Sequence, residues 1–372
     1  MGASFAVAFG EGPVQLLGRI WADGQLLDPA GLNFRFYDGS DDQLPDSLIE
    51  ATQGMGAAPA YRGICYIVFE QLPLSRFGNR IPQFSIELCR VVGALEPMIK
   101  AVTVIPGATE FGYDPTPRLQ LLGPGETRGE NSHLLASQSD WSVSIDQLQA
   151  LCPNLEHVAL VVAWFGDDLR CANCNIGPRV EDNSRVIDAI TWSVAGLGRS
   201  EVPVVTRHDG GAAYGGTPSD SAVLAAIADL KSRGIAVTLY PIILMDIAND
   251  NSLADPYSGG TGQAAYPWRG RITCDPSPDR AGTPDKTSAV DAQISAFAAR
   301  YRQMMLHYAQ LAATAGGVNA LLIGSEMVGM TTLRGAGNGF PFVAALTTLA
   351  ADVRAIVGVG TKAHLRRRLV RI

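Results

Sequence analysis

The sequence predicts an α/β fold: a domain built on a parallel sheet, preceded by a mainly β domain. Two observations carry this. Beyond residue 150, short fully apolar runs alternate with amphipathic helical stretches, the pattern of a parallel sheet covered by helices. Before residue 107, short strand-like segments are separated by turn residues, as in antiparallel sheet.

In the first domain, taken as 1–106, residues 13–27 alternate around Ala22-Asp23-Gly24, whose Asp-Gly is a hairpin signal. Residues 33–37, 64–69 and 84–88 are further strands. One short helix is predicted over 45–52, with Pro45 in its first turn. Nothing in this domain looks catalytic. Residues 107–140 are turn-rich without a sustained period, and we take them as a linker.

In the second domain, taken as 141–362, residues 157–165 form an apolar strand followed by Asp167 and Asp168, and 202–206 is a shorter candidate. Thr217, Pro218 and Asp220 predict a helix start with Thr217 as N-cap; Gly234 stops that helix. Residues 235–244 are the next buried strand, ending at Asp246. Thr283-Pro284-Asp285 repeats the start signal for a long helix to about Ala315. Leu321, Leu322 and Ile323 form a strand that ends at Glu326, and 340–357 is the last helix. Long segments, 166–200 and 246–283, follow strand ends, which places elaboration on the C-terminal face of the sheet.

Composition narrows the function classes. Hydrophobic residues make up 47% and charged residues 17%, so the chain is core-forming rather than disordered. A net charge of −7 without a basic stripe argues against a nucleic-acid surface. No run approaches the ~18 apolar residues of a membrane span, and the start lacks the basic region of a secretion signal. No Gly-x-Gly-x-x-Gly or phosphate-binding loop opens a helix, and we expect no cofactor. Cys171 and Cys174 form the one CxxC; without a second close ligand pair we expect no metal, and take them as a surface-loop pair, reduced or disulfide-bonded.

The candidate chemistry lies in strand-end acids and nearby aromatics. Glu326 sits where a barrel enzyme keeps reacting groups and is the candidate general acid/base, with Asp246 and Asp168 as further candidates. Trp164, Trp192 and Trp268 suit the stacking of sugar rings, and Arg207 lies in the loop 206–210 with His208. The same acids also fit a structural role, capping helices or pairing with Arg207, Arg269 or Arg271.

Several strings give a resemblance. Residues 162–170 (VAWFGDDLR), 213–220 (AYGGTPSD, with Tyr214), 239–246 (LYPIILMD), 266–274 (YPWRGRITC) and 322–327 (LIGSEM) resemble the TIM-barrel-like domain of gene transfer agent and tailed-phage host specificity proteins, the large baseplate-hub chains. Residues 19–24, 43–46, 59–63 and 79–82 resemble the hub-type β module preceding it. The resemblance runs to Lys362. It implies a virion tail protein, made in the bacterial cytoplasm and homo-oligomeric within the tail. It also implies contacts with other baseplate proteins and with host envelope glycan; Trp164, Trp268, Tyr214 and Arg207 are then the substrate-binding candidates. Glu326 matches the acid/base position of the large barrel-glycosidase clan, at the end of the fourth strand, if 202–206 is a barrel strand.

The chain departs from the resemblance at 363–372, an aberrant basic tail where the family continues into its next strand. We expect a one-base frameshift there and an internal start. The expectation is therefore a partial, incomplete barrel lacking its second carboxylate: a structural and host-recognition component, inactive in isolation. The alternatives are an active glycoside hydrolase and a carbohydrate-binding module.

Overall fold

The computed structural model describes residues 2–105 and 110–366. The chain forms two compact units: 1–100 with 132–155, and 101–131 with 156–372. Of the stretch taken as linker, residues 107–109 lie outside the described residues. The rest is divided between the units: 119–123 and 126–129 form an antiparallel hairpin of the second, while Asp140–Leu151 is a helix of the first, N-capped by Ser139.

The first unit holds two three-stranded antiparallel sheets. Gly2–Glu11 and Phe34–Tyr37 flank Ile64–Pro73 in one; Gln25–Leu27 and Phe84–Cys89 flank Leu16–Ala22 in the other. Ile20, Ile67, Phe69 and Leu72 pack between them, with Phe69 stacked on Phe84 at 4.7 Å. The Asp23-Gly24 turn closes the predicted hairpin with both residues at positive φ, 50° and 78°, the conformation that turn type requires. The predicted helix is Ser47–Gln53, and its cap is Asp46, which accepts from the Leu48 and Ile49 N–H groups; Pro45 precedes the cap rather than entering the first turn.

The second unit is an α/β barrel-like region built on a parallel sheet. Among the described residues its parallel strands run β1 (Ala101–Val104), β2 (His157–Gly166), β3 (Ala236–Met245), β4 (Ala320–Ser325) and β5 (Lys362–Arg366), each parallel to the next, and the short Ile176–Gly177 pairs antiparallel with the end of β2. Thr103, Ala159, Thr238, Ala320 and Lys362 lie side by side in this register. The long helices are α1 (Asp220–Ser232), α2 (Ser288–Thr314) and α3 (Pro341–Val357), and a single turn covers Val328–Thr331. Phe297 and Tyr301 of α2 pack on Phe342 of α3, and the Tyr301 hydroxyl donates to Ile323 O of β4 at 3.1 Å.

Three expectations are corrected. Residues 202–206 are not a sheet strand: Pro203 has no N–H for a ladder, and only Val204 forms an isolated bridge, to Val180. The first parallel strand is instead β1, taken from sequence as part of the preceding β domain. Both long helices start later than Thr217 and Thr283, capped by Ser219 and Thr287, because Thr217 bonds to Arg179 and Thr283 to Pro276. Finally, 363–366 of the expected tail pair with β4 as part of β5; 367–372 lie outside the described residues.

Candidate functional site

The carboxyl ends of β2, β3 and β4 and the segments that follow them form a polar rim. Glu326 follows the last residue of β4. With β1 counted, that is the end of the fourth parallel strand, the position inferred from sequence by way of a different strand. Its backbone is left-handed, φ 58°, which turns the chain sharply out of the sheet at a cost that a non-glycine residue seldom bears without tertiary support. That support is visible. Glu326 Oε2 accepts from Trp268 Nε1 at 2.8 Å and pairs with Arg269 Nη2 at 2.9 Å. Arg269 Nε also donates to Ser325 O at 3.2 Å, and the Ser325 and Tyr240 hydroxyls share a 2.6 Å bond. Glu326 and Trp268 remain about a third exposed, 31% and 37%, so both can meet a solute.

Asp246, just beyond β3, is buried and fully engaged. Its Oδ2 pairs with Arg179 Nη1 at 2.7 Å, and it accepts from both the Thr206 N–H and the Thr206 hydroxyl. The Thr206 hydroxyl also lies within hydrogen-bond distance of the Tyr266 hydroxyl, at 3.2 Å. Tyr266, also left-handed (φ 45°), meets His208 and Tyr214 edge-on, and Tyr214 leans on Phe165. Burial, then the Asp246 charge, pushes the Tyr214 phenol up to about 12, so it stays protonated and donates to Met245 O. The segment 266–268 therefore sets one aromatic residue beside Asp246 and another on Glu326.

Asp168 is likewise buried: Arg170 grips it through Nε and Nη2, and Gln263 Nε2 donates to it at 2.7 Å. Asp167 accepts from Asn175. Asp168 and Asp246 thus hold the rim together and are withdrawn from solvent, the structural alternative for those acids. Trp164, a platform candidate, is 5% exposed. It points from β2 to the helical layer, against His307 and Tyr308 of α2. Trp192 is buried and donates to Thr217 O. Arg207 is exposed and its guanidinium donates to Gly210 O in the hairpin tip. Cys171 and Cys174 are buried rather than a surface pair.

Arg179, Thr206, Tyr240 and Tyr266 were not singled out from sequence. The strings 239–246 and 266–274 contain Tyr240 and Tyr266; Arg179 and Thr206 act through partners dozens of residues away. Among the described residues no group of three His, Cys, Asp or Glu side chains converges on a metal position, and no helix is long and apolar enough to cross a membrane.

These features define a parallel-sheet α/β barrel-like domain with a carboxylate and indole at its strand-end rim. Residues 299–365, which contain Glu326, match the family model of the GTA TIM-barrel-like domain. Among solved structures, the chain is similar to a chain in the virion of a native gene transfer agent (GTA) particle. That likeness is 53% identical, covers 25% of this chain and 21% of the other, and has a TM-score of 0.23. It is also similar to a GH113 β-1,4-mannanase complex (16% identity, 57% of this chain and 45% of that one, TM-score 0.30). The GH113 β-mannanase AaManA from Alicyclobacillus acidocaldarius gives 16% identity, 57% and 44% coverage and a TM-score of 0.29. The chain thus spans about a fifth of the particle chain and less than half of the mannanases. No curated protein matches it.

Proposed function

We propose that the chain is a structural and host-recognition component of a gene transfer agent-like tail baseplate, and that its barrel-like rim binds host envelope glycan without cleaving it. The observation that carries the reading is the family match over 299–365, which brackets the rim carboxylate Glu326. The rim chemistry is consistent with binding. An indole about a third exposed beside a carboxylate offers a sugar a face to stack on and an acceptor for its hydroxyls. The same chemistry argues against turnover. Glycoside hydrolysis uses two carboxyls, ~5–5.5 Å apart for retention and wider for inversion, while Asp168 and Asp246 are committed to Arg170 and Arg179. In this reading the first unit is a hub-type module that contacts other baseplate proteins, as a homo-oligomer within the virion tail.

The second reading, an active glycoside hydrolase, is favoured by the placement of Glu326 after the fourth parallel strand. One experiment separates the two: sedimentation of the purified chain with isolated peptidoglycan sacculi, alongside an assay for released reducing ends. Binding with no release, weakened about tenfold in Trp268→Ala and retained in Glu326→Gln, is the expected result. Release by the wild type that is lost in Glu326→Gln establishes the hydrolase, and absence of binding to sacculi removes the peptidoglycan-recognition role.

A further inference from the structure

We propose that Cys171 and Cys274 form a disulfide that staples the rim segment after β2 to the rim segment after β3. Arg170 and Thr273 form a parallel bridge. Its bonds run from Thr273 N–H to Leu169 O at 2.9 Å and from Cys171 N–H to Thr273 O at 2.8 Å. The bridge is isolated, and the first chain turns at once, Arg170 O accepting from the Asn173 and Cys174 N–H groups; the Cys171 N–H on Thr273 O still sets Cys171 against the residue that precedes Cys274. Hydrogen-bonded segments lie ~4.8 Å apart, within the roughly 4.4–6.8 Å between Cα atoms that a disulfide spans. Both side chains are fully buried, with 0% exposure.

Cys171 Sγ lies 3.9 Å from Gln293 Oε1, and Cys274 Sγ donates to Pro276 O at 3.2 Å. Burial pushes the Cys171 and Cys274 thiols up; for Cys171 the next influence is Cys274, ahead of Cys174. Cys174 Sγ sits instead against Gly166, where an added Cβ would lie 3.0 Å from it, and contacts Asn175 O at 3.9 Å. Although Cys171 and Cys174 make up the CxxC, the pairing thus runs to Cys274. All six cysteines are free thiols in this structure.

The cross-link forms by thiol–disulfide exchange with a small disulfide such as oxidised glutathione. One cysteine thiolate attacks it and expels a glutathione thiolate; the second cysteine thiolate attacks the mixed disulfide and expels another. The Cys171 Sγ–Cys274 Sγ bond replaces the glutathione disulfide bond, two protons leave the cysteines, and two reduced glutathione molecules result. Thiols held protonated by burial attack slowly, so the exchange belongs to folding, before the rim segments dock.

The test is to refold the full chain from urea in a glutathione redox buffer, block the remaining thiols and map linked peptides by mass spectrometry. The Cys171–Cys274 pair should dominate. It should persist in Cys174→Ala and disappear in both Cys171→Ala and Cys274→Ala. Closing a loop of this length should raise the Tm of the oxidised wild type by roughly 10 °C over its reduced form, a rise that Cys174→Ala keeps. Full alkylation of all thiols after refolding, or a dominant Cys171–Cys174 pair, overturns the proposal.

Discussion

Arg185→Met should be among the most damaging single changes in the second unit, and its effect should depend on pH in a stated direction. Arg185 is 12% exposed and meets three carboxylates: Glu181 at 2.6 Å, Glu130 at 2.9 Å and Glu110 at 3.0 Å, none more than 14% exposed. Its loss leaves Arg199, 3.3 Å from Glu110, as the remaining guanidinium partner of the cluster. Breaking a buried ion pair from one side costs ~3–5 kcal/mol, because the stranded charge stays out of water. Burial already pushes the Glu130 and Glu181 carboxyls up, with the Glu110 charge adding to it. A carboxyl raised in the folded state contributes stability that is fully present below its unfolded value of ~4.3 and is lost as pH rises through its folded value. Without Arg185 both rise further. Each extra proton held by the folded state is worth ~1.4 kcal/mol per pH unit. The loss should therefore be about 3–5 kcal/mol at pH 8 and smaller at pH 5. Urea unfolding followed by tryptophan fluorescence measures it, since Trp192 lies against Arg199, 5.7 Å from ring centre to guanidinium. A cost below 1 kcal/mol, or one equal at the two pH values, refutes the reasoning.

The first unit should lose stability in acid through Asp46. Burial raises its carboxyl, but bonds from Arg35, Tyr37 and the Ile49 N–H outweigh this and bring it to about 2; stability present above pH ~4 should fall by ~2 kcal/mol as pH drops through 2, and Asp46→Asn should flatten that limb in urea titrations read at Trp21. Phe297→Ala, which removes a buried ring from the contact between α2 and α3, should cost ~3–5 kcal/mol by thermal unfolding; a loss under 1 kcal/mol would mean that the helices collapse into the space. Gly329→Ala should cost ~1–3 kcal/mol in the same assay, since a Cβ there meets the Ile272 and Gly270 carbonyl oxygens, and a neutral result would show that the 270–272 turn yields.

What the sequence makes legible here follows the range of the interactions. Strands β2, β3 and β4 announce themselves as continuous apolar runs, because a parallel strand buried on both faces needs no alternation. That same continuity conceals direction, which is why Trp164 could be placed on β2 but not assigned to the helical side. β1 is only four residues, Ala-Val-Thr-Val, indistinguishable from the antiparallel strands before it, and only its pairing with β2 assigns it to the sheet. Gly2–Glu11 went unread although Ala3, Phe5, Val7 and Phe9 alternate, since the small residues between them mute the contrast. The positions of Asp168, Asp246 and Glu326 at strand ends were readable. Their chemistry was not: Arg179 and Asp246 are 67 residues apart, and no local period records such a pairing.

Arg269 sets one further condition on the rim. One guanidinium holds the Glu326 carboxylate through Nη2 and the last carbonyl of β4 through Nε. A lysine ammonium, a single point of donors, lacks that planar two-pronged reach. Any attempt to retune the charge around Glu326 by exchanging Arg269 will therefore also release the strand end. Ligand affinity and fold integrity cannot be varied independently at that position, and variants meant to alter recognition are better made at Trp268, which touches the carboxylate and leaves the Arg269 bond to the strand in place.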